Sequence, residues 1–100
     1  MALKVRLTAQ ARGDLESIRA YLVPRSPQGA ERVRQAIQAA VELLAEFPGM
    51  GRPTDITDVR VFSTVRYPYL VYHAVEADAL VAVHIRHSAR RAPVPGDIQS

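Results

Sequence analysis

The hydrophobic period of the chain changes twice, and this change constrains the fold more than any single motif. Near the amino terminus Leu3, Val5 and Leu7 alternate with polar residues, which predicts a short strand with one buried face. Between residues 9 and 46 apolar residues recur every three or four positions, the period of amphipathic helices. After Val59 the period returns to two. The pattern therefore predicts one strand, then a helical region, then a second group of strands.

Two helices account for the helical region. Thr8 can cap the first helix, which should end before Pro24 because a proline disfavours helical geometry in the residue preceding it. Ser26 and Pro27 read as an N-cap followed by proline at the first helical position, and they predict the start of the second helix. The expected core residues of the two helices are Ala11, Leu15, Ile18, Leu22, Ala30, Val33, Ile37, Ala40, Val41 and Leu44. Because the turn between the helices is short, we expect an antiparallel αα hairpin.

Three period-two runs follow the segment 47–53, which is rich in glycine and proline. They read VRVFSTV, YLVYHAV and ALVAVHIR, with turns at residues 67–68 and 76–78. Such short connections predict a consecutive antiparallel meander. The expected fold class is α+β with the order β-α-α-β-β-β, an antiparallel sheet with the αα hairpin packed on one face. Residues 1–92 should form a single domain and residues 93–100 a proline-rich tail, since a chain of 100 residues supplies one core.

The composition excludes several classes of protein. A hydrophobic fraction of 48% with 23% charged residues is typical of globular chains. No apolar run approaches the roughly 20 residues of a membrane-spanning helix, and the first ten residues lack the pattern of a secretory signal. We therefore expect a cytoplasmic protein that does not bind a membrane. The absence of cysteine excludes disulfides, thiolate catalysis and cysteine-bound zinc.

Arginine dominates the basic residues. The chain has 13 Lys and Arg against 10 Asp and Glu, a net charge of +3, and Lys4 is its only lysine. A genome that favours arginine would account for the total, so only the clustering supports an argument. The arginines expected around one end of the meander, on the sheet face that the helices leave open, are Arg52, Arg60, Arg66, Arg86, Arg90 and Arg91. Such a basic patch predicts binding to a polyanion or to an acidic partner.

The histidines show no metal-binding pattern. His84 and His87 are three residues apart and should point to opposite faces of a strand, while His73 has no acidic or cysteine residue at ligand spacing. We therefore expect neither a metal nor a cofactor. His87 beside Arg90 has the chemistry of a general acid or base, although a histidine that only forms a hydrogen bond at a strand end is the commoner case.

Three segments together resemble one family of bacterial proteins. They read VRLTAQARGDLESIRAYL, AVELLAEFPGMGRP and VRYPYLVYHAVEADALVAVHIRHSAR, and they span Val5 to Arg90 in the family's order. On these segments the chain resembles the ParE/RelE superfamily of toxins from type II toxin-antitoxin systems. The resemblance implies a compact β-α-α-β-β-β toxin, which a cognate ParD-like antitoxin neutralises by wrapping around the domain.

The superfamily contains two activities. RelE-like members cut messenger RNA in the ribosomal A site, where a 2′-hydroxyl attacks the adjacent phosphate with the help of a base, an acid and cations. ParE-like members poison DNA gyrase. Several RelE-like members use lysines and a late tyrosine, whereas this chain has no lysine after Lys4 and no tyrosine after Tyr72. The pair Gly51-Arg52, the strand YPYLVY and the closing RHSAR look more like the ParE branch.

We therefore expect a gyrase poison without catalytic residues, whose patch arginines contact gyrase with or without its DNA. The alternative is a ribosome-dependent endoribonuclease that acts on messenger RNA. In that alternative the resemblance implies that His87 transfers a proton while Arg66 and Arg90 hold a phosphate. A third possibility is a non-toxic basic binding module, or a decayed toxin kept for its antitoxin contacts. Whether the protein is an enzyme depends on this choice.

Overall fold

Two helices pack on one face of a five-stranded mixed sheet, and the computed structural model describes residues 2–89 of the chain. The elements are β1 (Lys4–Leu7), α1 (Ala9–Leu22), α2 (Pro27–Glu46), β2 (Arg52–Pro53), β3 (Arg60–Ser63), β4 (Tyr69–Glu76) and β5 (Ala79–His87). In the sheet the strands follow the order β1-β5-β4-β3-β2. The α+β fold class and the αα hairpin on one face are therefore confirmed. Within residues 2–89 no helix is long and apolar enough to span a membrane.

Strands β3, β4 and β5 form the expected antiparallel meander, but the sheet is mixed and not antiparallel throughout, and it contains the additional strand β2. β1 pairs with β5 in parallel, whereas β2, β3, β4 and β5 pair antiparallel. In this position Leu7, and Leu3 just before the strand, pack against the core under the helices, whereas Val5 is 43% exposed. Thr8 fixes the end of the parallel pair, because its N–H donates to the Ala82 carbonyl and its hydroxyl to the Val83 carbonyl. β2 adds a two-residue pairing within the segment that the sequence predicts as a loop.

Both predicted helix caps are present. The Thr8 hydroxyl accepts the Ala11 N–H at 3.1 Å, and the Ser26 hydroxyl accepts the Gly29 N–H at 3.0 Å. Each bond satisfies one of the backbone donors that a helix start leaves without an intrahelical partner. Pro27 occupies the first turn of α2, as the sequence predicts. The predicted core residues of α2 are all buried, and Leu15, Ile18 and Leu22 of α1 pack against the same core.

Apolar side chains lie on both faces of the sheet. Under the helices, Val71, Leu80 and Ile85 belong to the main core. We call the other side of the sheet the open face. Its middle is a second buried cluster made of Val59, Val61, Leu70, Tyr72, Val81 and Val83. Ile56, from the connection between β2 and β3, packs against this cluster. Charged residues are therefore confined to the margins of the open face.

A bulge in β5 changes the direction of its last residues. Tyr72 lies opposite His84, while the next residue of β4, His73, lies opposite Ala82. Val83 is therefore an extra residue in β5, and such an insertion bends a strand and turns its side chains. As a result the His84 ring lies beside the Tyr72 ring, with 5.5 Å between their centroids.

Candidate functional site

Two of the patch arginines lie on the open face. Arg52 is opposite Val61 and Arg86 is opposite Leu70, and directly opposed residues of an antiparallel pair point to the same side of a sheet. Arg86 is held in place by its neighbour, since its Nε donates to the Tyr72 hydroxyl at 3.0 Å. The Arg86 guanidinium lies 5.6 Å from the centroid of the Tyr72 ring. This margin of the apolar cluster therefore presents an oriented cation.

The remaining patch arginines do not join this pair. Arg60 lies opposite His73 on the helix side of the sheet, and its Nη1 donates to the Gly51 carbonyl at 3.1 Å. Arg66 is exposed in the loop between β3 and β4. Arg90 and Arg91 lie outside the described residues. Because side chains alternate between the two faces along a strand, Arg60 points away from the face that carries Arg52 and Arg86.

A polar cluster joins α1 to β5 beside Arg86. His84 Nδ1 lies 2.7 Å from Asp14 Oδ2, and the same carboxylate oxygen accepts the Ile85 N–H at 2.9 Å. The Gln10 amide lies 3.2 Å from the same ring nitrogen. The side chains of His84 and Asp14 are only 15% and 21% exposed. A carboxylate in this position fixes the orientation of the imidazole, the arrangement found where histidine transfers protons.

The sequence gives no signal for this pair. Asp14 and His84 are 70 residues apart, and α1 reaches the edge of β5 only because β1 ends at Leu7. His87, the histidine singled out from the sequence, lies opposite Tyr69 on the helix side, with ring centroids 5.4 Å apart. Its Nδ1 accepts the Ala89 N–H at 3.0 Å. His84 and His87 thus point to opposite faces, as their spacing predicts.

His73 is buried on the helix side, with 1% of its surface exposed. Its Nδ1 lies 3.3 Å from the Val71 carbonyl oxygen. Burial lowers the pKa of His73 from its ordinary value of 6.5, because removal from water penalises the imidazolium. The carbonyls of Val71, Met50 and Pro48 oppose this shift, and the charge of Arg60 adds to it. His73 is therefore neutral at pH 7. Residues 2–89 contain no group of three or more acidic or histidine side chains able to hold a metal ion.

We expect the free energy of unfolding to decrease as the pH falls below about 6.5. The folded-state pKa of His73 is lowered, so the unfolded chain takes up the proton at a higher pH than the folded chain does, and acidification favours unfolding. Urea denaturation of the wild type and of His73→Gln between pH 7.5 and pH 5 measures this contribution. The wild type should lose more stability than His73→Gln over that interval. Parallel pH profiles would show that His73 does not contribute.

The comparisons with known proteins agree with this fold. Residues 5–92 match a family model described as the ParE toxin of the type II toxin-antitoxin system parDE. The chain belongs to this family of toxins. Toxin RelE2 of Caulobacter vibrioides is 40% identical to our toxin over 84 residues, which cover 83% of our chain and 92% of RelE2. Putative toxin Y4kP of Sinorhizobium fredii is 31% identical over 90 residues, covering 90% and 93% of the two chains.

A solved structure supports the same assignment for the toxin. A chain of the chromosomal ParDE toxin-antitoxin system from P. aeruginosa superimposes with a TM-score of 0.76 at 25% identity. The match covers 86% of the toxin and 96% of that chain. Toxin RelE3 of Caulobacter vibrioides is a further relative, 33% identical over 88 residues and covering 87% of the toxin and 96% of RelE3. Membership of the ParE/RelE superfamily, which the sequence segments predict, is confirmed.

Proposed function

We propose that this toxin poisons DNA gyrase and that a cognate antitoxin neutralises it. The antitoxin is supported by the structural neighbour, which belongs to a ParDE toxin-antitoxin system. Gyrase as the target is supported by the match to the ParE family model, together with the ParE-like segments of the sequence. The structural observation that carries the proposal is the uneven charge along the open face.

The two ends of the open face differ in charge. At the end formed by the β4–β5 turn, Glu76 is paired with Arg6 and Asp78 with Lys4, so these charges compensate each other. Toward the other end lies Arg86, with Arg66 in the adjacent loop. Arginine binds carboxylates and phosphates through two parallel hydrogen bonds, which suits both a protein surface and a DNA backbone. Tyr72, a member of the buried apolar cluster, holds Arg86 in a defined position.

A plasmid assay tests the proposal. Toxin freed from antitoxin is incubated with gyrase, ATP and supercoiled DNA, and the products are treated with detergent and protease. We expect linear DNA that forms only when gyrase is present. Replacing Arg52 and Arg86 together by alanine should raise the toxin concentration needed for half-maximal cleavage at least about tenfold, since interface arginines often contribute more than 1 kcal/mol each.

The matched control replaces Arg19 and Arg32 by alanine. Both are exposed arginines on the helices, which pack on the side of the sheet opposite to the open face, and their removal causes the same change in net charge. This variant should cleave like the wild type. Thermal melts of both variants check that the loss of the Arg86–Tyr72 contact has not unfolded the protein. Unchanged supercoiling without linear product would contradict gyrase as the target.

Ribosome-dependent cleavage of messenger RNA is a second candidate. It is supported by the Asp14–His84 pair next to the Arg86 guanidinium and the Tyr72 hydroxyl. In this function His84 would take the proton of the attacking 2′-hydroxyl, and Arg86 would stabilise the charge on the phosphate. His84 replaces His87 in this role, because His84 has a carboxylate partner. If the second candidate is correct, His84→Gln abolishes cleavage of a messenger on translating ribosomes, and the wild type leaves gyrase unaffected.

A further inference from the structure

A cleft beside the end of β4 is not part of either candidate site described above. It has a volume of about 460 Å³ and lies between the last residues of β4 and the segment that joins β2 to β3. Clefts in the range of roughly 300–1,000 Å³ are typical of ligand sites. Its β4 wall includes His73 and Val75, and its opposite wall includes Ile56, Asp58 and Arg60.

The cleft exists because β3 is shorter than β4. β3 begins at Arg60, which lies opposite His73, whereas β4 continues to Glu76. The pairing of β3 with β4 therefore stops before Val75, and no residue of β3 pairs with Val75 on that side. Val75 is 49% exposed, in contrast to the buried residues that precede it in the strand.

The backbone of Val75 faces the cleft. Thr64 N–H donates to the Tyr69 carbonyl at 3.0 Å, so Tyr69 directs its polar groups toward β3. In an antiparallel ladder every second residue directs its N–H and C=O to the same neighbour. Counting in steps of two from Tyr69 gives Val71, His73 and Val75. The N–H and the carbonyl of Val75 thus lie at a strand edge that β3 does not cover.

The walls of the cleft combine polar and apolar groups. His73 lines the cleft from the helix side of the sheet, where its ring interacts with the backbone carbonyls of Met50 and Pro48. The opposite wall carries one cation, Arg60, and one anion, Asp58. Their charges balance, so the wall does not favour a ligand of either charge. Ile56 and Val59 supply apolar surface.

We propose that the cleft binds an extended peptide segment of a partner protein with aliphatic side chains. One residue of the peptide exchanges two backbone hydrogen bonds with Val75, as in the addition of a strand to a sheet edge. The neighbouring peptide side chains then lie on the same side of the sheet as Ala74 and pack against Ile56 and Val59. This site lies on the β2 side of the sheet, away from β1 and from Arg86 on β5, although Pro53, the neighbour of Arg52, lines it. The proposal does not depend on the target of the toxin.

A titration followed by NMR tests the site directly. The probe is the blocked peptide acetyl-Thr-Ile-Thr-Val-Thr-amide, added to isotope-labelled toxin, with acetyl-Thr-Gly-Ser-Gly-Thr-amide as the control peptide. We expect saturable chemical-shift changes that are largest at the Val75 amide and at the His73 ring. The affinity calculated from these changes should be at least about tenfold weaker for the control peptide. Shifts confined to the open face around Tyr72, or no shift at Val75, would overturn the proposal.

A pair of variants isolates the backbone hydrogen bond. Val75→Pro removes the outward N–H but no bond to β5, since only Ala74 and Glu76 face β5. Val75→Ala keeps the N–H and loses a similar amount of side chain. We expect the peptide to bind Val75→Pro about tenfold more weakly than Val75→Ala. Equal affinities for these two variants would overturn the proposal.

A third variant tests the site without a proline in β4, since the proline of Val75→Pro could itself distort the strand. Thr57→Trp fills the cleft from the wall opposite β4 and leaves the backbone of β4 unchanged. It should abolish peptide binding, whereas Thr57→Ser should retain it. Wild-type affinity in Thr57→Trp would show that the peptide binds elsewhere and would overturn the proposal.

Discussion

Leu44→Asp is expected to prevent the toxin from folding. Leu44 is 0% exposed and lies in the main core, where α2 packs on the sheet. The substitution removes a large apolar side chain, at about 2–5 kcal/mol, and buries a carboxylate without a partner, which adds several kcal/mol. The sum approaches or exceeds the roughly 5–15 kcal/mol that stabilise a domain.

Circular dichroism and a thermal melt provide the measurement. Leu44→Asp should show no cooperative transition. Leu43→Asp is the matched control, because the adjacent residue is 37% exposed and its carboxylate can remain in water. The control should fold, with a modest decrease in melting temperature. A cooperative melt of Leu44→Asp close to that of the wild type would contradict the orientation of α2.

Gly51→Ala is expected to destabilise the toxin by about 2–4 kcal/mol. Gly51 has a φ of +89°, a conformation that residues with a Cβ rarely adopt. A Cβ on Gly51 would lie 2.5 Å from the Val61 carbonyl oxygen. Relief of this contact requires movement of β2 away from β3, and therefore displaces Arg52 from its position opposite Val61.

The midpoint of urea denaturation measures this loss of stability. Gly49→Ala is the matched control, because a Cβ on Gly49 meets no atom within 4 Å. We expect the control to change stability by no more than about 0.5 kcal/mol. The same midpoint for Gly51→Ala and Gly49→Ala would show that the close approach of Gly51 to Val61 is absent in solution.

The two sides of the sheet have different functions in these proposals. The helix side carries the main core and determines stability, which is why Leu44 has the largest expected effect. The open face is rigid because its own apolar cluster is buried, so cations such as Arg86 have a defined position. Asp14 links the two sides, since it extends from α1 to the backbone of Ile85 and the ring of His84.

The elements of the fold follow from local sequence. Thr8 and Ser26-Pro27 start the helices through contacts within three residues, so their signal is complete in a short segment. The change of hydrophobic period identifies the strands for the same reason. The family also follows from sequence, because its three segments cover nearly the whole chain and keep their order.

The sequence of β4 indicates that this strand is buried on both sides, although a strict alternation of apolar and polar residues would not show it. The strand YLVYHAV has apolar residues at successive positions, a pattern typical of strands that are buried on both sides. Leu70 and Tyr72 accordingly lie in the open-face cluster while Val71 lies in the main core. Alternation along β3 likewise separates Arg60 from Val61, which explains why the arginines do not form a single patch.

The candidate sites were decided by tertiary structure alone. The Asp14–His84 pair requires that β1 pair in parallel with β5 and end at Leu7, which brings α1 to the uncovered edge of β5. The cleft at Val75 requires β3 to begin opposite His73. Hydrophobic periodicity describes which side of an element is buried, but strand order and register depend on contacts between residues that are distant in the chain. For that reason the sequence by itself determined the elements and the family, and the tertiary structure determined which polar groups meet.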